Sequence, residues 1–147
     1  MTQEDKQLLL KDLCARLPYG VKIHINSPIE EQNRMVLFDV NLEGETIGVA
    51  TEKYTFRAIR IVDDDDSTRI IKPYLRPMSS MTSEELKEFA QFTCLSMHRF
   101  ICSVTNTDHW YNTYEEEDWL NAHHFDFRGL IEKGLAIEAP EEMYKTK

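Results

Sequence analysis

The sequence predicts an α+β fold: an N-terminal helix, a four- to five-stranded antiparallel meander sheet, and three C-terminal helices packed on one face. Three observations predict it. Apolar residues recur at helical spacing in the first stretch, up to Leu17. They alternate with polar ones between Val21 and Leu75. Two capping-box patterns, Thr82 with Glu85 and Thr113 with Glu116, open helical stretches further on.

The first helix starts at Thr2, with Asp5 three residues on as its capping partner. Leu9, Leu10, Leu13, Cys14 and Leu17 make one stripe. Pro18 and Gly20 in "LPYG" end it.

In "VKIHIN", Val21, Ile23 and Ile25 alternate against Lys22, His24 and Asn26, as in a half-buried strand. "RMVLFDVNLEGETIGVA" reads as a hairpin. Val36, Phe38 and Val40 form its apolar face, "EG" turns the chain, and Ile47 and Val49 resume the pattern. "TFRAIRIV", "DDDDST" and "RIIKPYL" read as a second hairpin. Pro73 cannot donate a ladder hydrogen bond, so its strand is expected to be an edge or to end nearby.

"MTSEELKEF" carries the clearest local signal: Thr82 caps, Glu85 reaches back, and Met81 is placed to staple onto Leu86. From there Leu86, Phe89, Ala90, Thr93, Met97, Phe100, Ile101 and Val104 follow one face. Phe92, Leu95 and Cys102 lie opposite. A helix apolar on two sides needs two covers: the sheet on one, the C-terminal helices or a partner chain on the other. Thr113 and Glu116 open the next helix, with Glu115, Glu116, Glu117 and Asp118 at its positive end.

The chain has 147 residues, 41% hydrophobic and 29% charged, which fits one globular domain over 1–147. No apolar run approaches the roughly 20 residues that span a bilayer. "MTQEDKQLLLKDL" is acidic early and reads as no secretory signal. Cys14, Cys94 and Cys102 form no CxxC pair and suit a reducing cytoplasm. The net charge of −9 argues against general nucleic-acid binding, which needs a basic surface, and allows a basic partner.

"DWLNAHHFDFRGLIEKG" poses the sharpest chemical question. The helix opened at Thr113 reaches about His124. Asp126 then caps a short helix through Lys133, Gly134 takes the left-handed position, and Leu135 and Leu130 meet in a Schellman motif. That accounts for most of the stretch without chemistry. The alternative is a metal site of His109, Asp118, His123, His124 and Asp126, in which imidazole and carboxylate hold a cation that activates water. Adjacent histidines on a helix point about 100° apart, so both do not easily reach one ion.

Other candidates are weaker. Asp63–Asp66 lack the order of an EF-hand and read as a solvated loop. "PMSSMTS" has no serine elbow around it, and no glycine-rich phosphate loop exists. "DHWYNTY" offers Trp110, Tyr111 and Tyr114, which either close the core or present a contact surface.

At "IIKPYLRPMSSMTSEE" and "DWLNAHHFDFRGLIEKGLAIEAPEEMY" the chain resembles short proteins carried by gut Bacteroidales, their prophages and related mobile elements, a family without an assigned activity. The resemblance implies a small intracellular accessory protein and supplies no functional residues.

The expectation is a non-enzymatic protein–protein interaction or accessory module, self-associating or bound to a protein partner, with Phe92, Leu95, Trp110, Tyr111 and Tyr114 as contact surface. No cofactor is called for, and neither membrane nor direct nucleic-acid binding is expected. The alternatives are the metal-dependent hydrolase or nuclease above, and an acidic nucleic-acid mimic that binds a basic partner.

Overall fold

The computed structural model describes residues 2–61, 71–92 and 114–144, without the side chains of residues 90–92 and 114–115. The order is α1 (Gln3–Arg16), β1 (Lys22–His24), β2 (Met35–Asn41), β3 (Thr46–Ala50), β4 (Thr55–Arg60), β5 (Lys72–Pro77), α2 (Ser83–Phe92), α3 (Tyr114–Ala122), β6 (Phe125–Asp126) and β7 (Ile137–Glu138). The class is α+β with the expected N-terminal helix.

The expected caps form around α1. Asp5 N–H donates to Thr2 Oγ1 at 3.0 Å, and Thr2 N–H donates to the Asp5 carboxylate at 3.4 Å. Leu9, Leu10 and Leu13 are buried, whereas Cys14 and Leu17 are half-buried. The helix tightens into a 3₁₀ turn at Leu17–Tyr19, and Gly20 follows at φ 68°.

The sheet is mixed, not a pure antiparallel meander, and runs β4-β3-β2-β1-β5-β6, with β7 also on β5. The first hairpin, β2–β3, forms. The second does not: β5 crosses back to pair antiparallel with β1, Ile23 opposite Pro73 and His24 opposite Lys72. The reason is physical. Period-two alternation fixes which face of a strand is buried, but not which strand lies beside it. β6 and β7 then pair parallel with β5. Leu75 C=O accepts from Ala139 N–H, and Arg76 N–H donates to His124 C=O, both at 2.7 Å. These two groups belong to one trans peptide and point opposite ways, so β6 and β7 take opposite edges of β5. β5 is therefore an interior strand. Pro73 sits one residue inside its start, which honours the expected end but not the expected edge.

The apolar face assigned to β2 is inverted. Met35 and Leu37 are buried, while Val36 and Phe38 face out, 38% and 43% exposed. A bulge explains the misreading. Leu37 pairs Val49 and Asp39 pairs Gly48, so Phe38 is the extra residue and parity flips after it. Val40 then packs against the core as expected. A second bulge in β4 places three steps, Phe56 to Ile59, against two in β3, with Ala58 at φ 57°.

One face of the sheet is sealed by α1 together with the segment around Leu130, Leu135 and Ala136. A second cluster gathers Trp119, Leu120 and Phe125 with Met81, Phe89 and Phe127. The capping box of α2 forms, Thr82 N–H to Glu85 Oε1 at 3.0 Å and Glu85 N–H to Thr82 Oγ1 at 3.1 Å. The Met81–Leu86 staple does not: Leu86 is 57% exposed, and Met81 joins the Trp119 cluster instead. The remainder of the expected helix 83–104 lies outside the described residues.

The last of the three expected helices is absent. Gly129 and Gly134, both at φ 77°, bracket only four residues, too few for a helix. What remains is one turn with both expected ends. Asp126 accepts from Leu130 and Ile131 N–H at 2.8 and 2.9 Å. Leu135 N–H reaches Leu130 C=O and Gly134 N–H reaches Ile131 C=O, the paired bonds of a Schellman motif.

Candidate interaction surface and buried polar centre

α1 brings Asp12 and Arg16 one turn apart, an i,i+4 spacing that on a surface helix would be a solvated pair. Here both side chains are wholly buried, with Arg16 Nε donating to Asp12 Oδ2 at 2.8 Å. Arg128 Nη1 donates to the other Asp12 oxygen at 2.6 Å and to Asn121 Oδ1 at 3.2 Å. Arg16 Nη2 donates to Phe125 C=O at 2.6 Å. One carboxylate thus serves two guanidiniums and ties α1 to α3, β6 and the turn beyond. Sequence reasoning missed this centre; its only signal was the i,i+4 spacing.

His123 and His124 part at the end of α3. His123 stacks on Trp119 with centroids 4.0 Å apart, and its Nδ1 donates to Trp119 C=O at 2.9 Å, since a carbonyl can only accept. His124 takes φ 63°, which swings it away from its neighbour. Its ring is buried and stacks on Tyr144 at 3.8 Å. Burial pushes the His124 imidazole down to about 4, helped by Arg16, His123, Arg76 and Lys22. Its Nδ1 is buried without a hydrogen bond, so nothing there offsets a charge.

Tyr144 completes a seam between strands. Continuing the β1–β5 register would place Lys22 opposite Tyr74. Instead the Tyr144 hydroxyl stands between them, accepting from Lys22 N–H at 2.9 Å and donating to Tyr74 C=O at 2.8 Å. Burial raises the Tyr144 phenol well above its ordinary value.

Of the sequence-expected metal set, His109 lies outside the described residues. Asp118 is exposed on α3, His123 and His124 diverge, and both Asp126 oxygens are taken by backbone N–H groups. Among the described residues, no three His, Cys, Asp or Glu side chains gather as a metal-holding group. The run Glu115–Asp118 is divided, with Glu116 buried and Asp118 exposed. Asp63–Asp66 lie outside the described residues. So do Leu95, Trp110 and Tyr111 of the expected contact surface, and the side chains of Phe92 and Tyr114.

The face of the sheet opposite α1 offers a second surface, which sequence reasoning did not find because the bulge hid it. Val36 lies between Lys22 on β1 and Ala50 on β3. The Phe38 ring lies over Gly48: a Cβ there would stand 2.8 Å from Phe38 Cζ. Arg57 lies 6.0 Å from the Phe38 ring centre. Toward β5, His24 Nδ1 and Tyr74 Oη are 3.0 Å apart. Burial, then Lys72, lowers the His24 imidazole. At the far end of β5, Arg76 grips both Glu85 oxygens at 2.7 Å and covers the Phe125 ring at 4.2 Å. That grip holds the Glu85 carboxyl down to about 2.

No helix among the described residues is long and apolar enough to cross a membrane. Comparison with family models, with curated proteins and with solved structures finds no match.

Proposed function

We propose that this chain is a non-enzymatic protein–protein interaction module, an accessory protein of a phage or mobile element acting in the cytoplasm. The observation that carries the reading is the outward apolar pair Val36 and Phe38 on the sheet face that α1 leaves open. Apolar groups exposed side by side on one face, unlike apolar groups exposed singly, mark a candidate contact surface. The polar groups of the 118–134 stretch support the same reading, because they serve stacking, capping and backbone bonds rather than converging. Leu95, Trp110, Tyr111, Phe92 and Tyr114 are the further contact residues that the sequence nominates.

Native mass spectrometry of untagged protein, with and without zinc and manganese, tests this. The module predicts a metal-free assembly, either of copies or with a co-purified protein, that Phe38→Ser weakens. A stoichiometric metal lost on His123→Ala and His124→Ala would replace the module with the hydrolase reading.

A further inference from the structure

We infer that the open face of the sheet docks an acidic segment of a partner protein, seated on Val36 and Phe38. The inference rests on the interaction-module reading and names the partner's chemistry. The whole chain carries −9. The open face has the opposite balance. Alternation about the buried Ile23 and Leu75 turns Lys22 and Lys72 toward it, and Arg57 stands by Phe38; among the described residues they face Asp39, while the Glu85 carboxylate is already held by Arg76. Arg34 and Glu30, both near the Tyr74 hydroxyl, cancel at its margin.

The apolar pair sits among these cations. Lys22 is cross-strand from Val36, and the Arg57 guanidinium stands by the Phe38 ring. An apolar centre with a rim of one sign is the arrangement that recognises a segment of opposite charge carrying an apolar anchor. The net charge of −9 opposes non-specific attachment of the same segment to the rest of the molecule. The Phe38 ring lies close against Gly48, where the missing Cβ lets it rest on the sheet.

The test is fluorescence anisotropy of a short labelled glutamate peptide with a central phenylalanine. A lysine peptide of equal length and labelled oligouridylate serve as controls. Saturable binding of the acidic peptide alone is expected. It should weaken by about tenfold as NaCl rises from about 50 to about 500 mM. It should weaken by about tenfold again in Lys72→Glu/Arg57→Glu, whose substitutions are at the surface and leave the core intact. Val36→Ser should weaken it without changing the salt response.

Preference for oligouridylate would assign the face to nucleic acid and overturn the inference. Absence of acidic-peptide binding at low salt would overturn it too. If native mass spectrometry then still shows a Phe38-dependent assembly, the interaction module stands without an acidic partner. If that assembly is missing as well, both readings fall.

Discussion

Asp12 and Arg16 form an ion pair in which neither side chain touches solvent, and Arg128 completes it from more than a hundred residues away. Removing one member of a buried pair leaves a charge in low dielectric without its counter-ion. Asp12→Ala strands two guanidiniums and should destabilise the fold by about 3–5 kcal/mol. Arg128→Ala, whose side chain is 12% exposed, should cost less because water can reach what it leaves behind. Urea denaturation of the two variants checks the order. Equal losses would mean that the centre does not hinge on Asp12.

The acid limb of stability should have two separate parts. His124 is ordinarily half-protonated at 6.5 and in the fold only at about 4. Between those values the unfolded chain binds a proton that the folded chain refuses, so stability is full above 6.5 and falls as pH drops toward 4. At about 1.4 kcal/mol per unit, the loss from this residue by pH 4 is on the order of 3 kcal/mol. His24, lowered by burial, adds in the same direction. Glu85, ordinarily at 4.5 and here at about 2, contributes stability that is full above 4.5 and lost as pH falls toward 2. Urea midpoints between pH 7 and 3 should show both. His124→Phe should flatten the upper part only, and Glu85→Gln the lower only.

The features legible in the sequence were those decided within one turn of chain. Thr2 with Asp5, Thr82 with Glu85, and Gly134 between Leu130 and Leu135 each act on backbone three to five residues away, and each forms as read. What was not legible depends on distant chain. The partner of β5 is β1, some fifty residues back, and alternation does not name it. A single extra residue, Phe38, exchanged the inner and outer faces of β2 and concealed the open surface. Asp12 and Arg16 drew no reading, because the groups that bind them, the Phe125 carbonyl and Arg128, arrive from the other end of the chain.

The seam at Tyr144 makes a prediction in hydrogen exchange. Its hydroxyl is the partner of both Lys22 N–H and Tyr74 C=O. Tyr144→Phe keeps the ring on His124 but leaves a donor and an acceptor unmet, which should cost about 1–3 kcal/mol. The Lys22 amide should lose protection more than its neighbour Ile23, whose N–H faces Met35 on β2. Unchanged protection at Lys22 would mean that the strands close on their own.

Gly48 and Phe38 should be energetically coupled. A Cβ on Gly48 would stand 2.8 Å from Phe38 Cζ and 3.1 Å from Asp39 Cβ. Gly48→Ala must therefore lift the ring from the sheet, which should cost about 1–3 kcal/mol. Phe38→Ala removes the nearer obstacle, so the double variant should be more stable than the two separate losses imply, with a coupling of roughly 1 kcal/mol or more. The same cycle read by peptide binding separates support from contact. Gly48→Ala keeps the phenylalanine but displaces it, so affinity should fall even though no contacting side chain has been removed. If Gly48→Ala lost stability yet bound normally, the seating of the ring would be a folding device and would play no part in docking.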